Sequence, residues 1–152
     1  MRRTYLTAIV CGLAVALPLA TAALGDDGKV AFELRRDTMK QMGRALYLGV
    51  GRVAKGRTDF GPDTVAAAET VARLAATIDT LFPPGSDVAG SNMQPAILAA
   101  PDKVKQLVAE VQAATPGFVA DVKTGDRTRI ATAVATMNQA CDACHTQFRK
   151  EE

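Results

Sequence analysis

Hydrophobic residues recur at intervals of three and four along most of the chain, and this spacing predicts four helices that each pack through one apolar face. The first helix is predicted from Lys29 to Ala54. The second begins at Pro62 and the third at Pro101, because proline suits the first position of a helix. Asp126 is the expected N-cap of the last helix. The apolar stripes are Met39, Met42, Leu46, Val50 and Val53, then Val65, Ala68, Ala72, Ala75, Ile78 and Leu81, then Val104, Leu107, Val108 and Val111, and finally Ile130, Ala133, Val134, Met137, Cys141, Cys144 and Phe148.

Glycine and proline separate these stripes. The longest stretch without a helical pattern is residues 83–100, and a loop of that length in a small domain is usually functional. We expect it to cover one edge of a cofactor. Pro116, inside the third stripe, is expected to break or kink that helix, because proline lacks the amide that an interior turn needs. The pattern predicts an all-α fold, an antiparallel up-down four-helix bundle.

The composition adds two constraints. The chain has no tryptophan, two tyrosines and five phenylalanines among 152 residues, so its aromatic content is low for a core of this size. With 18 basic and 16 acidic residues, the chain is not basic enough to suggest a nucleic-acid partner. The length favours a single domain.

The first 22 residues have the features of a cleaved signal peptide. Arg2 and Arg3 precede an apolar stretch from Leu6 to Leu19, and Ala20-Thr21-Ala22 is a small-residue cleavage site. The alternative is that the segment is retained as a membrane anchor. Cleavage would remove two of the 18 basic residues, leaving a near-neutral domain of residues 23–152 with 16 acidic residues. We therefore predict export to the periplasm of a bacterium.

The motif Cys141-Asp142-Ala143-Cys144-His145 carries the chemistry of the chain. C-x-x-C-H is a c-type haem attachment sequence, in which two thiols bind the porphyrin and the imidazole becomes an axial iron ligand. On a helix, residues three and four apart share a face, so the three side chains point the same way. His145 is the only histidine in the chain. The alternatives are a dithiol oxidoreductase, which would need a βαβ setting, and a structural zinc site, which would need a fourth ligand.

A haem motif at the end of a fourth helix, in an exported alanine-rich bundle, resembles the cytochrome c′ family of class II c-type cytochromes. Three other segments are similar to that family: residues 35–40, residues 82–87 after the second helix, and the ending from Cys141 to Arg149. Two features depart from it. Residues 95–98 read Pro-Ala-Ile-Leu where the family often has Pro-Glu-Ile-Trp, and Pro116 falls where the family's third helix usually continues.

The resemblance implies roles for further residues. It implies one covalent haem c per chain, a haem propionate paired with Arg35, and Arg36 beside it. Met39 falls at the distal position, where it is either a bystander or a sulfur ligand of the iron. Arg149 falls near the proximal histidine, although a cation at a helix C-terminus is equally expected there from the helix dipole alone. Met42 is expected to pack in the core.

Two functions follow from the distal side. If Met39 binds the iron, we expect a one-electron carrier that serves a periplasmic redox partner. If the distal site is open, we expect a nitric oxide- or carbon monoxide-binding protein. Because the lone histidine is committed to iron, no nucleophile–base pair remains, and we predict that the protein is not an enzyme. The resemblance also implies a homodimer formed through the first two helices, A and B.

Overall fold

The computed structural model describes the backbone of residues 23–150 and the side chains from residue 27 onward. The predicted signal peptide, residues 1–22, lies outside the described residues. The helical elements are α1 (Ala23–Arg44), a π-helical segment (Ala45–Val50), α2 (Gly51–Ala54), α3 (Pro62–Ala75), a 3-10 helix (Ile78–Leu81), α4 (Ala96–Ala99), α5 (Pro101–Lys123) and α6 (Arg127–Phe148).

These elements form the predicted all-α four-helix bundle. Helix A consists of α1, the π-helical segment and α2, helix B consists of α3 and the 3-10 helix, and α5 and α6 complete the bundle. Helix α5 packs against both α3 and α6, while helix A packs against α3 and, through α2, against α6. No strand occurs within residues 23–150, where Met93 and Arg149 form an isolated antiparallel bridge. None of the helices in this range has the length and hydropathy needed to cross a membrane.

Helix A begins earlier than its predicted start at Lys29 and contains a π-helical turn that the spacing did not predict. The amide of Gly51 donates to the carbonyl of Leu46, five residues back, which is the hydrogen bond that defines a π-helix. Gly49 lies against helix B so closely that an added Cβ atom would collide with the Cβ atom of Ala67. The absence of a side chain at Gly49 therefore allows helices A and B to touch at this turn.

Two predicted helix starts are confirmed. Pro62 is the first residue of α3, and the amide of Gly61 just before it donates to the Thr64 hydroxyl over 3.3 Å. Asp126 caps α6, because its carboxylate accepts a hydrogen bond from the amide of Arg129 over 2.9 Å. The cap satisfies one of the amides that have no partner within the first turn of a helix.

Of the break or kink expected at Pro116, the break is wrong, since α5 continues through it from Pro101 to Lys123. Proline cannot donate to the carbonyl four residues back, which is that of Gln112. The neighbouring residue replaces the missing donor: the Thr115 hydroxyl donates to the Gln112 carbonyl over 2.8 Å. This substitute bond leaves the carbonyl with a partner, so the helix tolerates the proline.

The segment between helix B and α5 is more ordered than its irregular sequence predicts. It turns at Gly85 and Gly90, whose φ angles of 78° and 83° lie in the left-handed region that favours glycine. It then contains the short helix α4. Beyond these turns, the amide of Gln94 donates to the carbonyl of Phe148 over 2.7 Å. The segment is thereby attached to the last residue of α6.

Candidate functional site

A cavity of about 410 Å³ lies inside one end of the bundle. Its walls come from α1, the 3-10 helix, the segment before α5, α5 itself and α6. The volume falls within the usual range for small-molecule and cofactor sites. Most of the wall is apolar, including Met42, Ile78, Ile97, Leu107, Val108 and Val111.

The α6 wall holds the haem motif. Cys141, Cys144 and His145 all line the cavity and are all partly buried. The helix stays regular through the motif and ends at Phe148, so the spacing of three and four residues holds the three side chains on one face. The structure thus brings together the two thiols and the imidazole that the sequence identified.

Burial sets the protonation of these groups in the haem-free protein. It raises the pKa of the Cys141 thiol to about 11, with smaller contributions from the negative charge of Asp142 and from Cys144. Burial also raises the pKa of the Cys144 thiol. The pKa of His145 is lowered, first by burial and then by the charge of Arg149, while Asp142 opposes the shift. A neutral imidazole is the form that binds a metal, so its environment favours iron ligation.

The α1 wall carries sulfur. Met39 is partly buried and lines the cavity, as the resemblance requires of a residue on the distal side. Met42 lies one turn further along, also lines the cavity, and is 6 % exposed, which agrees with its predicted place in the core. Gly43 completes this wall, and an added Cβ atom there would meet no atom nearer than Cδ2 of Tyr47, at 4.0 Å.

The cations predicted near the haem have different environments. Arg35 is buried and lines the cavity, and it donates to Leu81 at the end of helix B and to Ser86 and Ser91 on the segment that follows. Arg36 lines the cavity and is exposed. Arg149 also lines the cavity, and its amide donates to the His145 carbonyl over 3.0 Å.

Arg36 pairs with the exposed Asp37 over 3.3 Å and stacks on the ring of Phe32 at 5.5 Å. Because both members of the ion pair are exposed, it is of the kind that contributes little to stability.

Several lining residues were not singled out in the sequence. Met93 is 5 % exposed and belongs to no periodic stripe, so only its isolation as an apolar residue in a polar stretch could have marked it. Phe82 falls in the segment that follows the second predicted helix, yet it also lines the cavity. Tyr47 lies within the π-helical segment, one turn after Gly43, and sequence periodicity gives no sign of that segment.

The residues of this cavity fit haem c. Two thiols and one imidazole occupy the α6 wall, apolar side chains form most of the enclosure, and cationic side chains that could pair with haem carboxylates also line it. Haem iron prefers imidazole and thioether ligands, and both donor types line the same space.

The family model for cytochrome c′ matches residues 31–149. The chain belongs to the cytochrome c′ family. This family binds haem c covalently, and Cys141 and Cys144 fit its C-x-x-C-H attachment motif. The protein is therefore a haem-containing c-type cytochrome.

Relatives and solved structures agree with this family. A cytochrome c-556 from Agrobacterium tumefaciens (strain B2A) is 32% identical over 118 residues, covering 77% of this chain and 94% of the relative. Cytochrome c′ from Rubrivivax gelatinosus superposes with a TM-score of 0.74 at 26% identity, covering 81% of this chain and 97% of that one.

Cytochrome c′ from Alcaligenes xylosoxidans, in a ferrous variant with nitric oxide bound, superposes with a TM-score of 0.73 at 22% identity, covering 82% of this chain and 97% of that one. At that identity the likeness supports the four-helix fold.

Proposed function

We propose that this cytochrome c′ is a periplasmic one-electron carrier. Cys141 and Cys144 are its thioether positions and His145 is the proximal iron ligand. The observation that carries the proposal is that these three side chains and Met39 line one apolar cavity from two different helices. When bound, the haem iron cycles between ferric and ferrous states, and the protein tunes its potential through axial ligands and burial.

The protein's own residues prepare this chemistry. Burial and Arg149 lower the pKa of His145 and so favour the neutral imidazole. Met39 supplies a soft thioether from the α1 wall, and such a ligand raises the potential of haem iron. The apolar side chains from α5 and helix B lower the polarity of the cavity wall, which favours the less charged state of the iron site.

Export completes the proposal. Residues 1–22 are the signal peptide, and residues 23–152 are the mature cytochrome domain. Covalent haem attachment is completed outside the cytoplasm, so a periplasmic location agrees with the attachment motif. The sole histidine is assigned to iron, and the protein acts as a carrier or binder rather than as an enzyme.

A second candidate is a gas-binding protein with an open distal site. It is supported by two observations: the Alcaligenes xylosoxidans protein has been solved with nitric oxide and with carbon monoxide bound, and the α1 wall is open beside Gly43. In this case Met39 packs near the iron without binding it, and the sixth position accepts nitric oxide or carbon monoxide.

A homodimer through helices A and B is the proposed assembly. Val30 and Leu34 lie one turn apart on helix A and are 60 % and 54 % exposed, and Leu48 further along is 61 % exposed. A second copy of this chain would cover such apolar side chains. Sedimentation equilibrium of the mature protein tests this assembly, with Leu34→Glu expected to shift a dimer towards monomer and the exposed Lys103→Glu as the control.

The optical spectrum of the matured protein, ferric and ferrous, with and without carbon monoxide, separates the two functions. A low-spin spectrum with a methionine–iron charge-transfer band, little changed by carbon monoxide, supports the electron carrier. A high-spin spectrum that shifts with carbon monoxide supports the gas binder. A protein with no covalent haem after export would refute both functions and would support the dithiol oxidoreductase instead.

A further inference from the structure

The guanidinium of Arg35 is buried and its hydrogen bonds go to protein atoms. Its Nη1 donates to the carbonyl of Leu81 over 2.8 Å and to the hydroxyl of Ser86 over 3.1 Å. Its Nη2 donates to the carbonyl of Ser86 over 2.8 Å and to the hydroxyl of Ser91 over 3.2 Å. Four of the five N–H donors of an arginine are thereby used. All these acceptors belong to the end of helix B or to residues 82–93, which we call the strap.

Aromatic rings enclose the same guanidinium. It lies 5.5 Å from the ring centroid of Phe82, in the strap, and 5.9 Å from that of Phe32, in α1. Contacts of this kind are stronger when the cation is desolvated, and Arg35 is only 7 % exposed. The side chain thus joins α1 to the strap by both hydrogen bonds and ring contacts.

The strap connects Arg35 to the end of the haem motif. The Ser91 hydroxyl, which accepts from Arg35, also accepts from the amide of Met93 over 3.2 Å. Met93 then pairs with Arg149 in the isolated bridge, and the ammonium of Lys150 donates to the Ser91 carbonyl over 2.9 Å. A continuous set of contacts therefore runs from α1 through the strap to the residues that follow His145.

Arg36 lines the same cavity and also lies over the ring of Phe32, but it differs from Arg35 in exposure and in hydrogen-bond partners. It is exposed, and the carboxylate with which it pairs, that of Asp37, is exposed as well. Turning Arg35 towards a haem carboxylate would leave the carbonyls of Leu81 and Ser86 without a donor, and Ser86 is 0 % exposed. Burying an unpaired carbonyl is unfavourable, because the group loses its hydrogen bonds to water without gaining a partner. Turning Arg36 would sacrifice only a surface ion pair.

We propose that Arg35 is a positioning residue that holds the strap as a wall of the haem cavity, and that Arg36 is the arginine that contacts a haem propionate. The inference rests on the proposed haem function and assigns different tasks to two adjacent arginines of the same chain. It reverses the roles that the resemblance alone implies for them.

The test compares Arg35→Gln with Arg36→Gln in the matured holoprotein, each variant serving as the control for the other. One measurement is the rate of thermolysin cleavage within the strap, at sites such as Val88. The other is the pH dependence of the reduction potential, which reports ionisation of a propionate. Intact mass under denaturing conditions first establishes that covalent haem is present.

We expect Arg35→Gln to raise the strap cleavage rate by at least roughly tenfold, since buried acceptors lose their donors and the strap opens more often. The pH dependence of its potential should keep its wild-type inflection. Arg36→Gln should leave cleavage within about twofold of wild type and move the inflection to higher pH, because loss of a nearby cation raises a carboxyl pKa.

The proposal would be overturned if the inflection in the pH dependence of the reduction potential moved in Arg35→Gln and stayed in place in Arg36→Gln. If Arg35→Gln does not mature, Ser91→Ala removes one acceptor of the strap and keeps both arginines. It should raise strap cleavage several-fold and leave the inflection in place, and unchanged cleavage would overturn the proposal. Absence of covalent haem from the wild type would refute the proposed function, while the cleavage comparison would still test the role of Arg35.

Discussion

The two walls of the cavity are built in opposite ways. The α6 wall presents its chemistry from five consecutive residues of one regular helix, Cys141 to His145. The α1 wall is assembled from side chains spread between Phe32 and Tyr47, across a helix and a π-helical segment. Local spacing fixes the relative positions of the thiols and the imidazole. The position of Met39 relative to them depends on how two separate helices approach each other.

This difference explains why the sequence predicts the chemistry of the α6 wall more fully than that of the α1 wall. Any α-helix holds residues three and four apart on one face, so the attachment motif works wherever the helix is placed. Iron ligation by a sulfur atom on α1 needs a correct distance across the cavity, and that distance is set by helix packing. The predictions below test each wall in turn.

The largest effects are expected on the α6 wall. Cys141→Ser and Cys144→Ser should each leave at most one thioether, and the double variant should carry no covalent haem, because no other cysteine lies after residue 22. His145→Ala should lose the native iron spectrum. Pyridine haemochrome assays and denatured mass spectra measure these outcomes. Thr146→Ala, an exposed position beside the motif, is the control and should mature normally. Unaltered covalent haem in the double variant would contradict the attachment assignment.

The α1 wall offers a matched pair of methionines. If the electron-carrier proposal is right, Met39→Leu should convert a low-spin ferric spectrum to high spin and lower the potential, because a thioether ligand is lost. Met42→Leu conserves apolar volume in the core and should keep the spectrum, with a stability change below about 1.5 kcal/mol. Equal spectra for wild type and Met39→Leu would favour the gas binder, and a spectral change confined to Met42→Leu would exchange the roles of the two residues.

Most of the bundle could be predicted from the sequence, because helix periodicity is a local property. The Pro62 start, the Asp126 cap and the buried positions of the third stripe all follow from rules that span one or two turns. The break predicted at Pro116 does not occur, and the reason is also local. The substitute donor is the hydroxyl of Thr115, and sequence alone does not show which way a threonine hydroxyl points.

The residues of the site also differ in whether local spacing or long-range contacts fix their positions. The three motif residues on α6, Cys141, Cys144 and His145, were identified from spacing, whereas the contribution of Met93 was not, because the strap brings it to the cavity through long-range contacts. Arg35 and Arg36 are indistinguishable by residue type and adjacent in sequence. Only the side chains that surround them separate a buried guanidinium from an exposed one.

A third prediction concerns the contact that fixes helix A. Gly49→Ala should reduce the free energy of unfolding by about 1–3 kcal/mol, because its new methyl group would collide with Ala67 and push helices A and B apart. Gly117→Ala is the matched control. It lies within α5 with nothing close to the new methyl group, and it should stabilise the protein by about 0.5–1 kcal/mol. Urea unfolding of both holoproteins measures the difference, and equal shifts would show that helix propensity alone governs both sites.

The last prediction concerns how the stability of the protein depends on pH before and after haem is attached to the α6 wall. In haem-free protein, made without export, burial raises the pKa of Cys141 from 9 to about 11. The folded state therefore keeps this proton between those pH values while the unfolded chain loses it. The resulting stability is complete below pH 9 and disappears as pH rises through 11, a loss of about 2–3 kcal/mol.

Urea unfolding at pH 8 and at pH 11, for haem-free wild type and Cys141→Ser, measures this loss as the difference between the two proteins. That difference cancels the other groups that titrate over the same range. The matured protein should lack this contribution, because a thioether has no proton to lose. An identical pH dependence in wild type and Cys141→Ser would mean that the haem-free chain exposes the thiol, and that the α6 wall closes only when the cofactor is attached.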